Sequence, residues 1–385
     1  MVIKGSKEEA DKSILFSKSK SLKKYFTGVS PDLLIGSYGY PFVNVGILST
    51  ENKFFKNINE LDSLDINSII KERQSLINSK LVVPVKKVQE RIVEQSQEIA
   101  RSNKVLDTEV SLNKPISFFN SFHQVNLPHG PSAELKKLEI TSSVPIKPFV
   151  ERLTNDVDVK ANIALEELSD HSVDEYQLVK LLSSGSLGRE RKLVPTKWAI
   201  TAVDDTLGRR LLSKINVFDH ADYSLFYDVF LGNVFIVLVM PGSWSFELLE
   251  ITQANTIHNS SDDIILGHDY EFSNSRTKYV KETSGAFYSA RLAVLEYLNK
   301  INRQARVVVF RIITKDYKAP LGVWVVREGV RKTLDNKSLL KSGVENNIFN
   351  TITSLFLKND ILDYKVVFDY SILLRERQLE LKEWF

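Results

Sequence analysis

The sequence contains no cysteine and only two methionines among its 385 residues. The absence of cysteine excludes disulfides, thiolate metal sites and a cysteine nucleophile. No apolar stretch approaches the roughly 20 residues that a transmembrane helix requires. The lysine-bearing start also lacks the apolar segment and small-residue cleavage site of a signal peptide. We therefore expect a cytoplasmic protein without membrane contact.

The charge balance is only mildly basic, with a formal net charge of +3. Such a value does not by itself indicate nucleic-acid binding. Basic residues are nevertheless clustered, since residues 1–30 carry seven lysines against three acidic residues. The plain interpretation of each cluster is solvated charge that keeps the protein soluble. The alternative is contact with the phosphates of DNA, for which the candidates are Arg189, Arg191, Lys192, Arg209 and Arg210.

Helical and strand-like patterns are mixed along the chain. Helical spacing of apolar residues predicts helices over 173–182, 284–304 and 347–357. Apolar and β-branched runs predict strands, namely 198–203, 234–240, 307–313, 321–326 and 365–368. The fold class that follows is α+β, with mixed sheets and packed amphipathic helices.

Composition suggests four segments. Residues 1–30 are predicted to form a short, flexible basic N-terminus, and 371–385 a C-terminal tail. Between them, the irregular and proline-bearing stretch 115–148 suggests either a domain boundary, placed near residue 130, or a long functional loop. We therefore predict an N-terminal domain over 31–130 and a C-terminal α+β domain over 131–370.

The tail contains the most specific motif. Gln378 is followed by Leu381 and then by the adjacent aromatic residues Trp384 and Phe385. In a short helical turn the three apolar side chains form one plug for a surface pocket, and the glutamine amide can bond the pocket rim. This spacing is typical of peptides that bind ring-shaped sliding clamps. The alternative is a terminal helix that docks its aromatic residues on the protein's own core.

Several longer blocks resemble one protein family in the expected order. They are Ile35–Gly46, His129–Ala133, Arg191–Asp205, Ala290–Leu298 and Pro320–Glu328. With them, nearly the whole chain resembles the archaeal NreA family of DNA-repair proteins. The resemblance implies a role in repair of damaged DNA together with the sliding clamp PCNA, and therefore a location at the nucleoid.

The chain departs from this family at its start. Many members look as if they begin with a four-cysteine zinc module, whereas the corresponding stretch here, from Ile3 to Lys7 onward, has no cysteine or histidine. Zinc requires thiolate or imidazole ligands. We therefore predict no structural zinc in this chain.

Two adjacent carboxylates, Asp204 and Asp205, follow the predicted strand 198–203. Acidic residues at a strand end can hold Mg²⁺ or Mn²⁺ against a phosphate, as a metal-dependent nuclease requires. Adjacent strand residues point in opposite directions, however, so both face one ion only if the strand has ended. The more common alternative is that this pair caps a helix that begins near Thr206.

Two further candidates lie in glycine-bearing segments. His129 could act as a general acid or base, although most loop histidines are simply exposed. Tyr38 and Tyr40 could stack on unpaired bases, or they could be half-buried turn residues.

Three functional hypotheses therefore share the tail. The first is a clamp-tethered DNA-repair factor whose body binds DNA. The second is an enzyme, either a metal-dependent nuclease or one acting on a nucleotide-derived ligand. The third is a non-enzymatic adaptor between the clamp and other proteins.

Overall fold

The computed structural model describes residues 23–56, 58–116, 125–273, 276–342 and 348–375. The start of the chain up to residue 22 and the predicted clamp motif lie outside these described residues. No helix within the described ranges is long and apolar enough to cross a bilayer. The chain forms two compact units, called here the barrel unit (23–207 and 319–322) and the sheet unit (208–318 and 323–375).

Five strands of the barrel unit close into a barrel in the order β1-β2-β3-β5-β4. They are β1 (Tyr25–Ile35), β2 (Phe42–Thr50), β3 (Ile77–Pro84), β4 (Leu106–Leu112) and β5 (Ser132–Ile140). β3 and β5 pair in parallel, and the other pairs are antiparallel. Alternate residues of β2 fill the interior, because Val43, Val45 and Ile47 have no exposed surface.

Several helices belong to the same unit. They are α1 (Ile66–Gln74), α2 (Arg91–Arg101), α3 (Pro148–Asn155), α4 (Ala161–Asp170), α5 (Glu175–Ser183) and the first part of α6 (Thr196–Ile215). The apolar face of α2 is buried through Ile92, Val93 and Ile99. Together with the strand order, a helix between β3 and β4 gives the topology of the OB-fold, a five-stranded Greek-key barrel.

The sheet unit contains a six-stranded mixed sheet in the order β11-β6-β7-β10-β8-β9. The strands are β6 (Ser224–Phe230), β7 (Asn233–Met240), β8 (Ser245–Thr252), β9 (Ile265–Glu271), β10 (Arg306–Ile313) and β11 (Leu339–Ser342). The helices are α7 (Gly285–Lys300), α8 (Trp324–Thr333), α9 (Ile348–Lys358) and α10 (Tyr364–Tyr370). The rings of Phe310 on β10 and Phe356 on α9 lie 5.2 Å apart, so α9 packs directly on the centre of the sheet.

The predicted α+β class with mixed sheets is confirmed, but three predicted strands are wrong. Residues 198–203 begin α6, 324–326 begin α8, and 365–368 lie within α10. A short apolar run fits a buried helix as well as a strand. In α6 the decisive spacing is four residues, because Ala199, Val203 and Leu207 form the buried face.

The compact units divide the chain at residue 207, whereas composition suggested a boundary near 130. The physical reason is that β5 lies beyond residue 130 and yet closes the same barrel as β1–β4. The suggested boundary at residue 30 falls within β1. Residues 371–375, predicted as the start of the tail, belong to the sheet unit.

A buried charge joins α1 to the barrel. Arg73 of α1 is 3% exposed, and its Nε donates to the Pro128 carbonyl at 2.9 Å. Its Nη2 lies 3.5 Å from the Asp32 carboxylate of β1. A buried guanidinium is stable only with such partners. The pairing therefore fixes α1 against β1 and against the segment that precedes β5.

His129 lies beside this ion pair and is 6% exposed. Its Nδ1 lies 2.7 Å from the Gly130 carbonyl, and its Nε2 lies 3.4 Å from Nδ2 of Asn78. Both contacts suit a neutral ring that donates through Nδ1 and accepts through Nε2. Burial lowers the pKa of His129, and the positive charges of Arg73 and Lys80 lower it further, against the raising effect of the Gly130 hydrogen bond.

This lowered pKa makes the stability of the protein depend on pH. A proton binds the unfolded ring more readily than the folded one, so the His129 contribution is complete above about pH 6.5 and is lost as the pH falls below it. We expect the unfolding free energy of the His129→Gln variant to fall less than that of the unchanged protein as the pH is lowered from about 7.5 to about 5.5. The slopes of unfolding free energy against pH then differ between the two proteins by at most about 1.4 kcal/mol per pH unit. Urea unfolding at a series of pH values measures it, and equal slopes would show that the folded ring is not kept neutral.

Candidate nucleic-acid interface

One end of the barrel's outer face exposes large apolar side chains. Phe42 at the start of β2 is 56% exposed, and Val82 on β3 is 58% exposed. The strand register pairs Phe42 with Pro84 and Asn44 with Val82, so these side chains occupy neighbouring rows. Single exposed apolar residues are common, but a contiguous group indicates a binding surface.

The loop between β1 and β2, residues 36–41, extends this surface. It turns at Gly39, whose φ of +85° favours glycine and whose carbonyl accepts a hydrogen bond from the Phe42 amide at 2.9 Å. Tyr38 is 91% exposed and Tyr40 is 49% exposed. The alternative prediction that these tyrosines are half-buried turn residues is therefore wrong for Tyr38, whereas one side of the Tyr40 ring is covered.

Trp198, on the first turn of α6, covers that side of Tyr40. The two ring centroids lie 5.2 Å apart at 57°, and Trp198 itself is 44% exposed. The start of α6 is fixed to the end of β1 because the Ile35 amide donates to Thr196 Oγ1 at 2.8 Å. The aromatic patch, as we name it, consists of Tyr38, Tyr40, Phe42 and Trp198.

A cavity of about 280 Å³ lies in the same unit. Apolar side chains line its floor, among them Leu182, Leu187 and Val194. Its charged lining residues are Lys160, Arg189, Glu190 and Lys192. Three cations against one carboxylate give these side chains a net charge of +2.

Two backbone hydrogen bonds connect the aromatic patch to this cavity. The Val85 amide donates to the Pro41 carbonyl at 2.9 Å, and the Leu193 amide donates to the Val85 carbonyl at 2.9 Å. Pro41 adjoins Tyr40 of the patch, and Leu193 adjoins Lys192 of the cavity. The patch and the cavity therefore lie at the same end of the barrel unit.

The predicted cations near the cavity have different environments. Arg189 and Lys192 are exposed, and Arg189 Nε donates to the Asp158 carbonyl at 2.6 Å. Arg191 Nη2 donates to the Asp156 carbonyl at 2.9 Å, and burial lowers the pKa of its guanidinium. Arg191 is half-buried, whereas Arg189 and Lys192 are exposed, with Nζ of Lys192 3.4 Å from the Glu190 carboxylate.

Asp204 and Asp205 do not lie at a strand end, and they do not cap a helix. Both are in the middle of α6, eight and nine residues after its start at Thr196. Asp204 has no exposed surface and Asp205 is half-buried, because successive helix residues point about 100° apart. No group of three or more histidine, cysteine or acidic residues in the described ranges is placed to hold a metal ion.

Arg209 and Arg210 lie further along α6, in the part that belongs to the sheet unit. Arg209 is exposed, and its Nη2 donates to the Arg276 carbonyl at 2.6 Å. Arg210 is half-buried. Their contact with nucleic acid stays a prediction.

Comparison with known proteins places the chain in a family. Two family models match it, "Archaeal Nre, N-terminal" over residues 8–259 and "Archaeal Nre, C-terminal" over residues 271–380. The chain is similar to DNA repair protein NreA of Haloferax volcanii, with 33% identity over 81% of this chain and 78% of that protein. It is also similar to DNA repair protein NreB of Archaeoglobus fulgidus, with 35% identity over 82% of each chain.

A third relative is DNA repair protein NreA of Archaeoglobus fulgidus, which is 36% identical over 80% of this chain and 79% of that protein. No solved structure matches the chain. The two family models together cover almost the entire sequence, and the three relatives cover most of it. The chain therefore belongs to the archaeal Nre family.

Proposed function

We propose that this protein is a DNA-repair factor whose barrel unit binds an unpaired DNA strand and whose C-terminal motif binds the sliding clamp PCNA. The family and the names of the relatives support the repair role. The observation that carries the DNA-binding proposal is the exposed aromatic patch on the β1–β2 loop of the barrel.

The position of the aromatic patch supports strand binding. In OB-fold proteins the face of strands 2 and 3 and the loop between strands 1 and 2 bind oligonucleotides or oligosaccharides. Shared topology is only an analogy, because one fold carries many functions. The specific argument is chemical, since exposed tyrosine, phenylalanine and tryptophan rings can stack on any base. Stacking on a duplex would require unpairing, so an already unpaired strand is the favoured ligand.

The charged cavity supplies the second element that strand binding needs. Proteins that bind single strands combine stacking rings with cations that follow the phosphates. Arg189 and Lys192 are exposed at the cavity, and Lys160 adds a third cation. We assign phosphate contact to these three and a positioning role to Arg191. Because the cavity and the aromatic patch share one end of the unit, one short strand can contact both.

The clamp contact rests on the sequence motif of Gln378, Leu381, Trp384 and Phe385. Tethering to a clamp that encircles DNA raises the local concentration of the barrel unit near its ligand. A weak DNA surface is then sufficient, which is consistent with a net charge of only +3. Both contacts would hold the protein at the nucleoid.

The nuclease hypothesis is not carried forward. It required Asp204 and Asp205 to face one Mg²⁺ or Mn²⁺ ion, and the helix directs them apart while burying Asp204. The adaptor hypothesis also includes the clamp motif, but in it the barrel unit does not bind DNA. It is therefore an outcome of the first experiment below.

Loss of the stacking rings tests the aromatic patch. We expect Tyr40→Ala and Trp198→Ala each to weaken binding of a thymidine oligonucleotide by about 5-fold to about 150-fold, since one stacked base contributes about 1–3 kcal/mol. Fluorescence anisotropy measures the affinity. Phe54→Ala is the matched control, because Phe54 is 90% exposed and lies outside the patch. Unchanged affinity in both patch variants, with folding retained, would remove the aromatic patch from the interface, whereas no oligonucleotide binding by the unchanged protein would favour the adaptor hypothesis.

Loss of the cavity cations tests the phosphate contacts. For a single strand, each lost phosphate contact lowers the slope of log affinity against log salt concentration by about 0.7. We therefore expect the Arg189→Ala and Lys192→Ala double variant to lower that slope by about 1.4. Lys136→Ala is the control, since Lys136 is exposed on β5 and does not line the cavity. A double variant with the slope of the control would remove these residues from the interface.

Loss of the aromatic end tests the clamp motif. We expect Trp384→Ala and Phe385→Ala each to weaken clamp binding by about 30-fold or more, because buried aromatic anchors contribute about 2 kcal/mol or more. Binding of the thymidine oligonucleotide without clamp is expected to stay unchanged. Calorimetry with the purified clamp measures the first effect, and Glu383→Gln, at a variable motif position, is the control. Equal clamp affinity in all variants contradicts the motif.

A further inference from the structure

A buried carboxylate holds the chain just before the clamp motif. Glu247 on β8 has no exposed surface. Its Oε2 accepts hydrogen bonds from Ser371 Oγ at 2.6 Å and from the Leu373 amide at 3.1 Å. Its Oε1 accepts one from the Ile372 amide at 2.9 Å and lies 3.1 Å from Nδ1 of His268. Glu247 therefore caps the helical turn over residues 372–375 from a distant strand.

Apolar burial reinforces this cap. Leu373 has no exposed surface and Leu374 is 3% exposed, and both belong to the apolar core of the sheet unit. The Leu374 amide also donates to Ser371 Oγ at 3.3 Å. The hydrogen bonds and the buried side chains together fix the backbone as far as residue 374.

Very little chain separates this anchor from the clamp motif. Gln378 is four residues after Leu374. An extended chain spans at most about 3.6 Å per residue, so the two α-carbons are no more than about 14 Å apart. A flexible linker of 20 residues, by comparison, has an average end-to-end distance of about 25 Å and samples many orientations.

We propose that the motif is presented on an anchored, nearly linker-free tether, so that the clamp docks against the sheet unit in a restricted orientation. This inference rests on the proposed clamp contact. It goes beyond that contact because it assigns the sheet unit a second surface on the clamp. A short anchored tether restricts the relative orientations of two bound proteins, whereas a long flexible tail does not.

The surface that the clamp would meet carries exposed apolar side chains. Val366 on α10 is 38% exposed and lies five residues before Ser371, about 8 Å along the chain in helical geometry. Leu362, just before α10, is 75% exposed. Single exposed apolar residues do not define a contact site, so this surface is assigned from its position next to the anchor. Both lie close in sequence to the anchor that fixes the position of the motif.

Spin-label distances between the protein and the clamp test the inference. The chain has no cysteine, so Lys365→Cys provides a single labelling site on exposed α10. The key variant inserts twelve glycine and serine residues after Arg375, which leaves the anchor and the motif intact. We expect a narrow distance distribution for the chain without the insertion. In the insertion variant we expect a distance distribution that is broader by about 20 Å, which is the average end-to-end distance of a flexible linker of that length.

A second variant tests the anchor itself. Glu247→Gln replaces one acceptor oxygen by a donor, so we expect faster hydrogen exchange at the Ile372 and Leu373 amides and a broader distance distribution. Equally broad distributions with and without the insertion would overturn the inference. Failure of the proposed function is distinguishable, because the isolated peptide Gln378–Phe385 would then not bind the clamp. A peptide that binds, combined with broad distances, overturns the anchored tether alone.

Discussion

The geometry of the barrel unit depends on the parallel pairing of β3 with β5. β1 is long enough to pair with β4 through its first half and with β2 through its second, with a register shift between Val29 and Asp32. The sheet then closes only where Asn78–Lys80 meet Ser132–Glu134. The β1–β2 loop, with Tyr38 and Tyr40, connects two neighbouring strands of this closed sheet.

The segment before β5 is shaped for this closure. A Cβ atom at Gly130 would lie 2.1 Å from the Gln74 carbonyl oxygen and 2.7 Å from that of Leu76, so no side chain fits there. Next to it, the Pro131 carbonyl accepts from the Asn78 amide at 2.9 Å. The block His129–Ala133 thus brings the chain against the start of β3, and its histidine is part of that packing.

Many polar residues of the sheet unit stabilise its interior. Arg291 on α7 pairs with Glu271 at 2.6 Å, and both side chains are 1% exposed. Asp269 accepts from the Thr283 amide and hydroxyl, each at 2.9 Å, and so fixes the segment that precedes α7. Such pairs become strongly destabilising if one partner is removed. Arg291, Glu271 and Asp269 therefore have structural roles in the interior of this unit.

Local pattern was sufficient for part of the fold. α7 was predicted from the helical periodicity of 284–304, and β7 and β10 from the apolar runs 234–240 and 307–313. These predictions succeeded because the buried side chains of each element recur at the spacing of a helix or a strand. The barrel could not be predicted, since its closure pairs residues more than 50 positions apart.

The candidate site was predicted in the same uneven way. Tyr38 and Tyr40 were found from their glycine-bearing loop, whereas Trp198 was missed. It lies in a run predicted as a strand, and its contact with Tyr40 depends on the tertiary fold. For Asp204 the sequence suggested a site that the structure does not form. Its adjacency to Asp205 suggested that both bind one ion, whereas the helix directs the two side chains apart.

The cap formed by Glu247 also has a consequence for biosynthesis. Its partner Ser371 follows 124 residues later, so at roughly 5–20 residues per second the ribosome needs about 6–25 s to supply the donors. Until then the central carboxylate of β8 has no hydrogen bond from this segment, and the sheet unit is correspondingly unfinished. The hydrogen bonds of this buried carboxylate are therefore completed only after residues 371–373 have been synthesised, long after the rest of β8 is available to pair in the sheet.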